Sequence, residues 1–67
     1  MIKEYRNLRG YTQEKLAELV EVDIRTIQRI EKMEVIPSLE TFAKLTLILN
    51  IDFKDVIVFF QYITKRP

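Results

Sequence analysis

The sequence predicts an all-α fold, a compact five-helix bundle, from three observations. Apolar residues recur at three- and four-residue spacing along the chain, and strand-like alternation never persists. Thr12, Asp23, Ser38 and Asp52, all good helix N-caps, each stand directly before such a period. One glycine and two prolines leave little to interrupt the helices.

The first helix spans Ile2 to Arg9, with Ile2, Tyr5 and Leu8 on one face and Gly10 as its left-handed stop. The second begins after Thr12. Tyr11 before the cap and Leu16 inside the helix have the spacing of a hydrophobic staple. Its inward face is Leu16, Ala17, Leu19 and Val20. Asp23 caps the third helix, Ile24 to Lys32, which buries Ile27 and Ile30 and turns Arg25, Thr26, Gln28 and Arg29 elsewhere. Met33 to Pro37 connects to Ser38, the cap of a fourth helix, Leu39 to Leu49, whose inner stripe is Leu39, Phe42, Leu45 and Leu49. Asn50 ends it in the left-handed conformation. Asp52 caps the fifth helix, about Phe53 to Thr64, with Ile51 and Val56 as a staple. Lys65-Arg66-Pro67 reads as a frayed end or the start of a linker.

A chain of 67 residues is expected to form one domain, and 48% hydrophobic against 31% charged residues is a globular balance. The longest apolar run, Val56 to Phe60, is far short of the roughly 20 residues that span a bilayer. Lys3, Glu4, Arg6 and Arg9 occupy the region where a signal peptide would need an apolar stretch, so a cytoplasmic protein is expected, with no membrane partner. Absence of cysteine removes disulfides, thiolate metal sites and thiol nucleophiles. Absence of histidine removes the usual general base and the commonest zinc ligand. Glu14 and Glu18 share a helix face but have neither cleft nor histidine beside them. No enzyme activity, metal or cofactor is expected. The net charge of +1, from 11 basic and 10 acidic residues, announces no nucleic-acid partner, so charge placement has to carry any such reading.

The second and third helices carry that placement. A very short turn joins them. Ala17 supplies the small residue that a steep helix crossing needs, and Ile27 and Ile30 lock the second helix of the pair. The outer face of the third helix is then free to enter a major groove, which is wide enough for one helix. At this point the sequence resembles a known family. Tyr11-Thr12-Gln13-Glu14-Lys15-Leu16-Ala17, Arg29-Ile30-Glu31 and Pro37-Ser38-Leu39-Glu40-Thr41 are similar to the Cro/C1-type (XRE-type) helix-turn-helix family of phage-repressor-like transcriptional regulators, over essentially residues 2–57.

The resemblance implies a lambda-repressor-like DNA-binding domain, with the helix-turn-helix at about 12–32. It also implies a homodimer on double-stranded, pseudo-palindromic operator DNA. Gln13 matches the family's phosphate contact at the start of the second helix. Ile24, Arg25, Thr26 and Arg29 match positions that face DNA from the recognition helix, 24–32. Arg25 and Arg29 are suited to guanine edges, Thr26 to a phosphate or a thymine methyl, and Gln28 to a base or phosphate at the edge of the footprint. Arg6 and Glu31 match a structural ion pair. Lys32 and Lys44 read as surface charges. The family's usual glycines are replaced here by Glu21 and Met33, so those turns are either strained or differently shaped. Glu21 and Asp23 also bring negative charge near the reading end of the third helix, which disfavours non-specific DNA binding.

The fifth helix has apolar residues nearly all round: Phe53, Val56, Ile57, Val58, Phe59, Phe60, Tyr62 and Ile63. A helix packed on one side needs a stripe of only about 100°. The excess face is leftover surface, a dock for a further domain, or a two-fold contact with a second copy. The homodimer is the expectation carried forward, with Phe59, Phe60 and Ile63 as its contacts. A core this small, in a chain below about 70–80 residues, supplies only about 3–5 kcal/mol, which also favours association. Against the DNA-binding regulator stands a helix-turn-helix module for protein interaction that has lost DNA binding. Near-neutral charge and the apolar fifth helix favour the module; Arg25 and Arg29 favour the regulator.

Overall fold

Three of the four caps form as their side chains require. In the computed structural model, which describes residues 1–65, Thr12 Oγ1 accepts from the Lys15 N–H at 3.0 Å, Asp23 Oδ1 from the Arg25 N–H at 2.8 Å and Ser38 Oγ from the Thr41 N–H at 3.1 Å. They start α2 (Gln13–Val20), α3 (Ile24–Glu31) and α4 (Leu39–Leu49), which follow α1 (Ile2–Leu8) and precede α5 (Phe53–Thr64). The described residues hold these five helices and no strand. The frayed end or linker expected at Lys65-Arg66-Pro67 falls in part on Arg66 and Pro67, which lie outside the described residues.

Asp52 departs from the expectation. It occupies the N-cap position of α5, but its side chain makes no capping bond. Tyr5 of α1 reaches across instead. Its hydroxyl accepts from the Asp52 N–H at 3.1 Å and donates to the Asp55 carboxylate. That carboxylate, by accepting a hydrogen bond from the protonated hydroxyl, holds the Tyr5 phenol above its ordinary pKa. The start of α5 is thereby tied to α1.

The core is built from Ile2 of α1, Leu16, Ala17 and Val20 of α2, Ile27 and Ile30 of α3, Leu45 and Leu49 of α4, and Ile51. α2 packs on both α3 and α4. Ala17 is buried where α2 meets α3, as a close crossing requires. Two residues expected inside are outside. Leu8 is exposed because α1 ends there, beyond the layer it packs on. Leu39 is 76% exposed: in the same first turn of α4 it is Phe42 that packs on α5, and Leu39 lies off that contact. Leu19 is only half-buried.

A third correction concerns Phe59. It is 6% exposed and stacks on Phe42 with ring centroids 4.6 Å apart, so its ring is engaged inside the chain and little of it is left for the dimer contact expected of it. Phe60, one position on, meets Phe42 edge-on at 5.4 Å and keeps a large exposed surface. Tyr62 fastens α5 to the loop after α3 by donating to the Met33 carbonyl at 3.3 Å.

Helices α1 to α4 end alike. The residue after each helix or its cap is left-handed: Gly10 at φ 78°, Glu21 at 65°, Met33 at 60° and Asn50 at 51°. Each turn is closed by an N–H reaching back to the last helical turn: Tyr11 to Arg6, Val22 to Ala17, Glu34 to Arg29 and Ile51 to Thr46. Glu21 and Met33 therefore keep the geometry of the glycines they replace and carry its strain. For a side-chain-bearing residue that costs roughly 1–2 kcal/mol, partly offset by the ~0.5–1 kcal/mol of unfolded-state entropy a glycine would add. Met33→Gly is expected to stabilise the protein by about 0.5–1 kcal/mol and raise Tm by several degrees. Met33→Ala keeps the strain and is expected to give no such gain. A thermal melt of Met33→Gly at or below wild type would contradict this.

Candidate nucleic-acid interface

The outward side of α3 follows from what its inward side buries. Ile27 and Ile30 enter the core, so Arg25 and Arg29, one turn apart, stand exposed, with Thr26 and Gln28 half-buried beside them. Ile24 is divided between the two sides: it is half-buried and packs against the core cluster.

Gln13, at the first position of α2, is brought against α3. Its Nε2 donates to Glu31 Oε1 at 3.0 Å, and its Oε1 accepts from Gln28 Nε2 at 3.4 Å. Glu31 in turn holds Arg6 of α1. Arg6 Nε lies 2.6 Å from Glu31 Oε2, and Arg6 Nη2 donates to Oε1 at 3.3 Å. Arg6 Nη1 also donates to the Tyr11 carbonyl at 2.9 Å, just before the cap of α2. The side chains of Arg6 and Glu31 are only 10% and 4% exposed. One polar chain thus runs from α1 through α3 to the start of α2 and back to Gln28 on the outer face.

The charge distribution is far less even than a net +1 suggests. Lys15 pairs with Glu18 at 3.1 Å, and Lys44 with Glu21 at 3.1 Å and Glu40 at 3.6 Å. Arg9 caps the C-terminal end of α4, donating to the Leu49 carbonyl at 2.8 Å and the Asn50 carbonyl at 3.2 Å. Lys3, Arg25, Arg29 and Lys32 form no ion pair among the described residues. Arg25, Gln28, Arg29, Lys32 and Glu34 line one concave surface. Lys3, Gln13, Gln28, Glu31 and Lys32 line a second, sharing Gln28 and Lys32 with the first.

The acidic residues near the start of α3 are engaged. Glu21 is bonded to Lys44, which holds the Lys44 ammonium above its usual pKa. Asp23 serves α3 as its cap. Their repulsion toward an approaching polyanion is reduced accordingly.

Lys32, read from the sequence as a surface charge, is exposed and borders both concave surfaces, and Lys3, which the sequence did not single out, borders the second. Lys32 extends the spacing of Arg25, Gln28 and Arg29 by one more turn, a signal present in the sequence. Lys3 left no such signal, because its place beside Gln13 depends on how α1 packs. Among the described residues, no cluster of three or more His, Cys, Asp or Glu is placed to hold a metal, and no helix is long and apolar enough to cross a membrane.

A family model described as helix-turn-helix matches residues 2–56. Among curated proteins the chain is similar to the uncharacterized HTH-type transcriptional regulator YgzD of Bacillus subtilis (strain 168). The two are 40% identical over 55 residues, which cover 82% of this chain and 83% of that protein. No solved structure matches significantly.

Proposed function

The chain belongs to the Cro/C1-type helix-turn-helix family of DNA-binding transcriptional regulators, and from that premise we propose that it binds a pseudo-palindromic operator sequence-specifically as a homodimer. The observation that carries the reading is the pair Arg25 and Arg29, exposed, one turn apart and without an ion pair among the described residues, on the outer face of α3. A guanidinium with no acidic partner on an exposed helix face is available for a bidentate contact to a guanine edge. Thr26 and Gln28 flank it, and Gln13 at the start of α2 offers its amide to a phosphate. No cofactor is needed for this role, which is regulation without catalysis in the cytoplasm.

The homodimer rests on the apolar surface that α4 and α5 leave uncovered. Leu39, Ala43, Leu47, Val56 and Phe60 border one continuous apolar concavity, and Leu39 and Leu47 are 76% and 80% exposed. Ile63 borders an adjoining one, with Ile36 and Phe60. A second copy on this face would place the two α3 helices on opposite sides of the two-fold axis. Successive major grooves require them about 34–36 Å apart, hence about 17–18 Å from the axis each. A protomer of 30 × 22 × 19 Å accommodates that distance.

Leu47→Asp is expected to convert the dimer to monomer while leaving the protomer folded, since Leu47 touches little within it. A buried leucine contributes roughly 1.5–3 kcal/mol and occurs twice in an isologous contact. Sedimentation of a monomeric wild type at high micromolar concentration would remove the dimer from the proposal.

Selection from a random duplex pool tests the function itself. The expected product is an enriched two-fold sequence with half-sites one helical turn apart. If no duplex is retained even at low salt, the protein-interaction module takes the place of the regulator.

A further inference from the structure

We infer that Lys3 and Lys32 clamp the phosphodiester backbone of bound DNA in the cleft between the start of α1, the start of α2 and the end of α3. The inference rests on the DNA-binding reading and assigns that reading a second set of contacts. Lys3, Gln13, Gln28, Glu31 and Lys32 line the cleft. Its two ammonium groups come from different helices, and neither has an acidic partner among the described residues. Elsewhere in the protein, Lys15 and Lys44 are paired with glutamates. The acid in the cleft is already matched: Glu31 sits 2.6 Å from Arg6 and is almost fully buried. The exposed field of the cleft is therefore that of the two lysines, and the chemistry it suits is a polyanion.

The position of the cleft specifies which anion. Gln28 and Lys32 form the ridge between it and the concave surface that carries Arg25 and Arg29. A helix seated in a major groove has a phosphodiester strand along its flank. If Arg25 and Arg29 face the bases, the strand beside them crosses that ridge and lies along Gln13, between Lys3 and Lys32. Contacts of this kind position the protein and carry no sequence information.

The experiment is a salt titration of binding to the selected duplex and to a scrambled one, for wild type, Lys3→Ala, Lys32→Ala, the double variant and Lys54→Ala. Lys54 is an exposed α5 lysine outside the cleft. Each cleft variant is expected to weaken binding to both duplexes by the same factor. Each occurs twice in the dimer and is also expected to flatten the log–log salt slope by about 1.8, and the double variant by about 3.6. Over a fourfold rise in salt, each single variant then loses about 12-fold less affinity than wild type does. Lys54→Ala is expected to leave the slope unchanged.

Unchanged slopes in the cleft variants, with wild type binding normally, overturn the clamp and leave the DNA-binding reading standing. An equal flattening by Lys54→Ala also overturns it, because net charge would then explain the effect. Losses confined to the selected duplex overturn it in favour of base contacts. A wild type that binds neither duplex overturns both readings.

Discussion

Glu31→Ala is expected to cost about 3–5 kcal/mol, the penalty for leaving one charge of a buried pair without its partner. Arg6 would keep only the Tyr11 carbonyl, and its side chain is only 10% exposed. The core of a 67-residue chain supplies about 3–5 kcal/mol, so the protomer of this variant should be largely unfolded at 37 °C. Helical circular dichroism through a urea titration reads this directly.

Replacing both partners, Arg6→Met with Glu31→Leu, is expected to be neutral or stabilising by about 1–4 kcal/mol, since no buried charge remains. The double variant still loses the acceptor that holds the Gln13 amide at 3.0 Å. DNA affinity should therefore fall in a protein whose stability has not. A Glu31→Ala variant that melts within a degree or two of wild type would show that water, and not Glu31, compensates Arg6.

Arg25→Ala or Arg29→Ala is expected to cost about 1–3 kcal/mol on the selected duplex, roughly 5- to 150-fold in affinity, and to relax preference at one base pair per half-site. Gln13→Ala should act differently. It is expected to weaken selected and scrambled duplexes by similar factors, with the salt slope barely altered, because an uncharged phosphate contact releases no counterion. The 3.4 Å bond from Gln28 to Gln13 adds one refinement. Without it the Gln28 side chain is less constrained, so a small loss of discrimination should accompany the general one. Titration of the three variants on both duplexes at two salt concentrations separates these patterns. Arginine variants that bind both duplexes as wild type does would show that α3 is not the reader.

The sequence by itself determined the features whose causes lie within a turn or two of helix. The caps Thr12, Asp23 and Ser38, the left-handed stop at Asn50, the start of α2, the bounds of α4 and α5 and the outward side of α3 all depend on neighbours at most a few residues away. The helix-turn-helix was legible for the same reason, since its short turn couples α2 and α3 by local spacing. Arg6 and Glu31, 25 residues apart, have no local signal for one another and were suggested by family resemblance alone.

The tertiary structure decided what depends on the surface standing opposite. Along α5, apolar all round, spacing cannot say which phenylalanine turns inward. The position of Phe42 does, burying Phe59 and leaving Phe60 outside. Leu39 fits the inward stripe of α4 by period, yet none of the described residues covers it. Tyr5 at the start of α5 and Arg9 at the end of α4 act across 50 and 40 residues of sequence. Lys3 reaches the side of Gln13 only because α1 packs where it does. Helix periodicity specifies which residues share a face; whether that face meets core, solvent or a phosphate is set by packing between segments far apart in the chain.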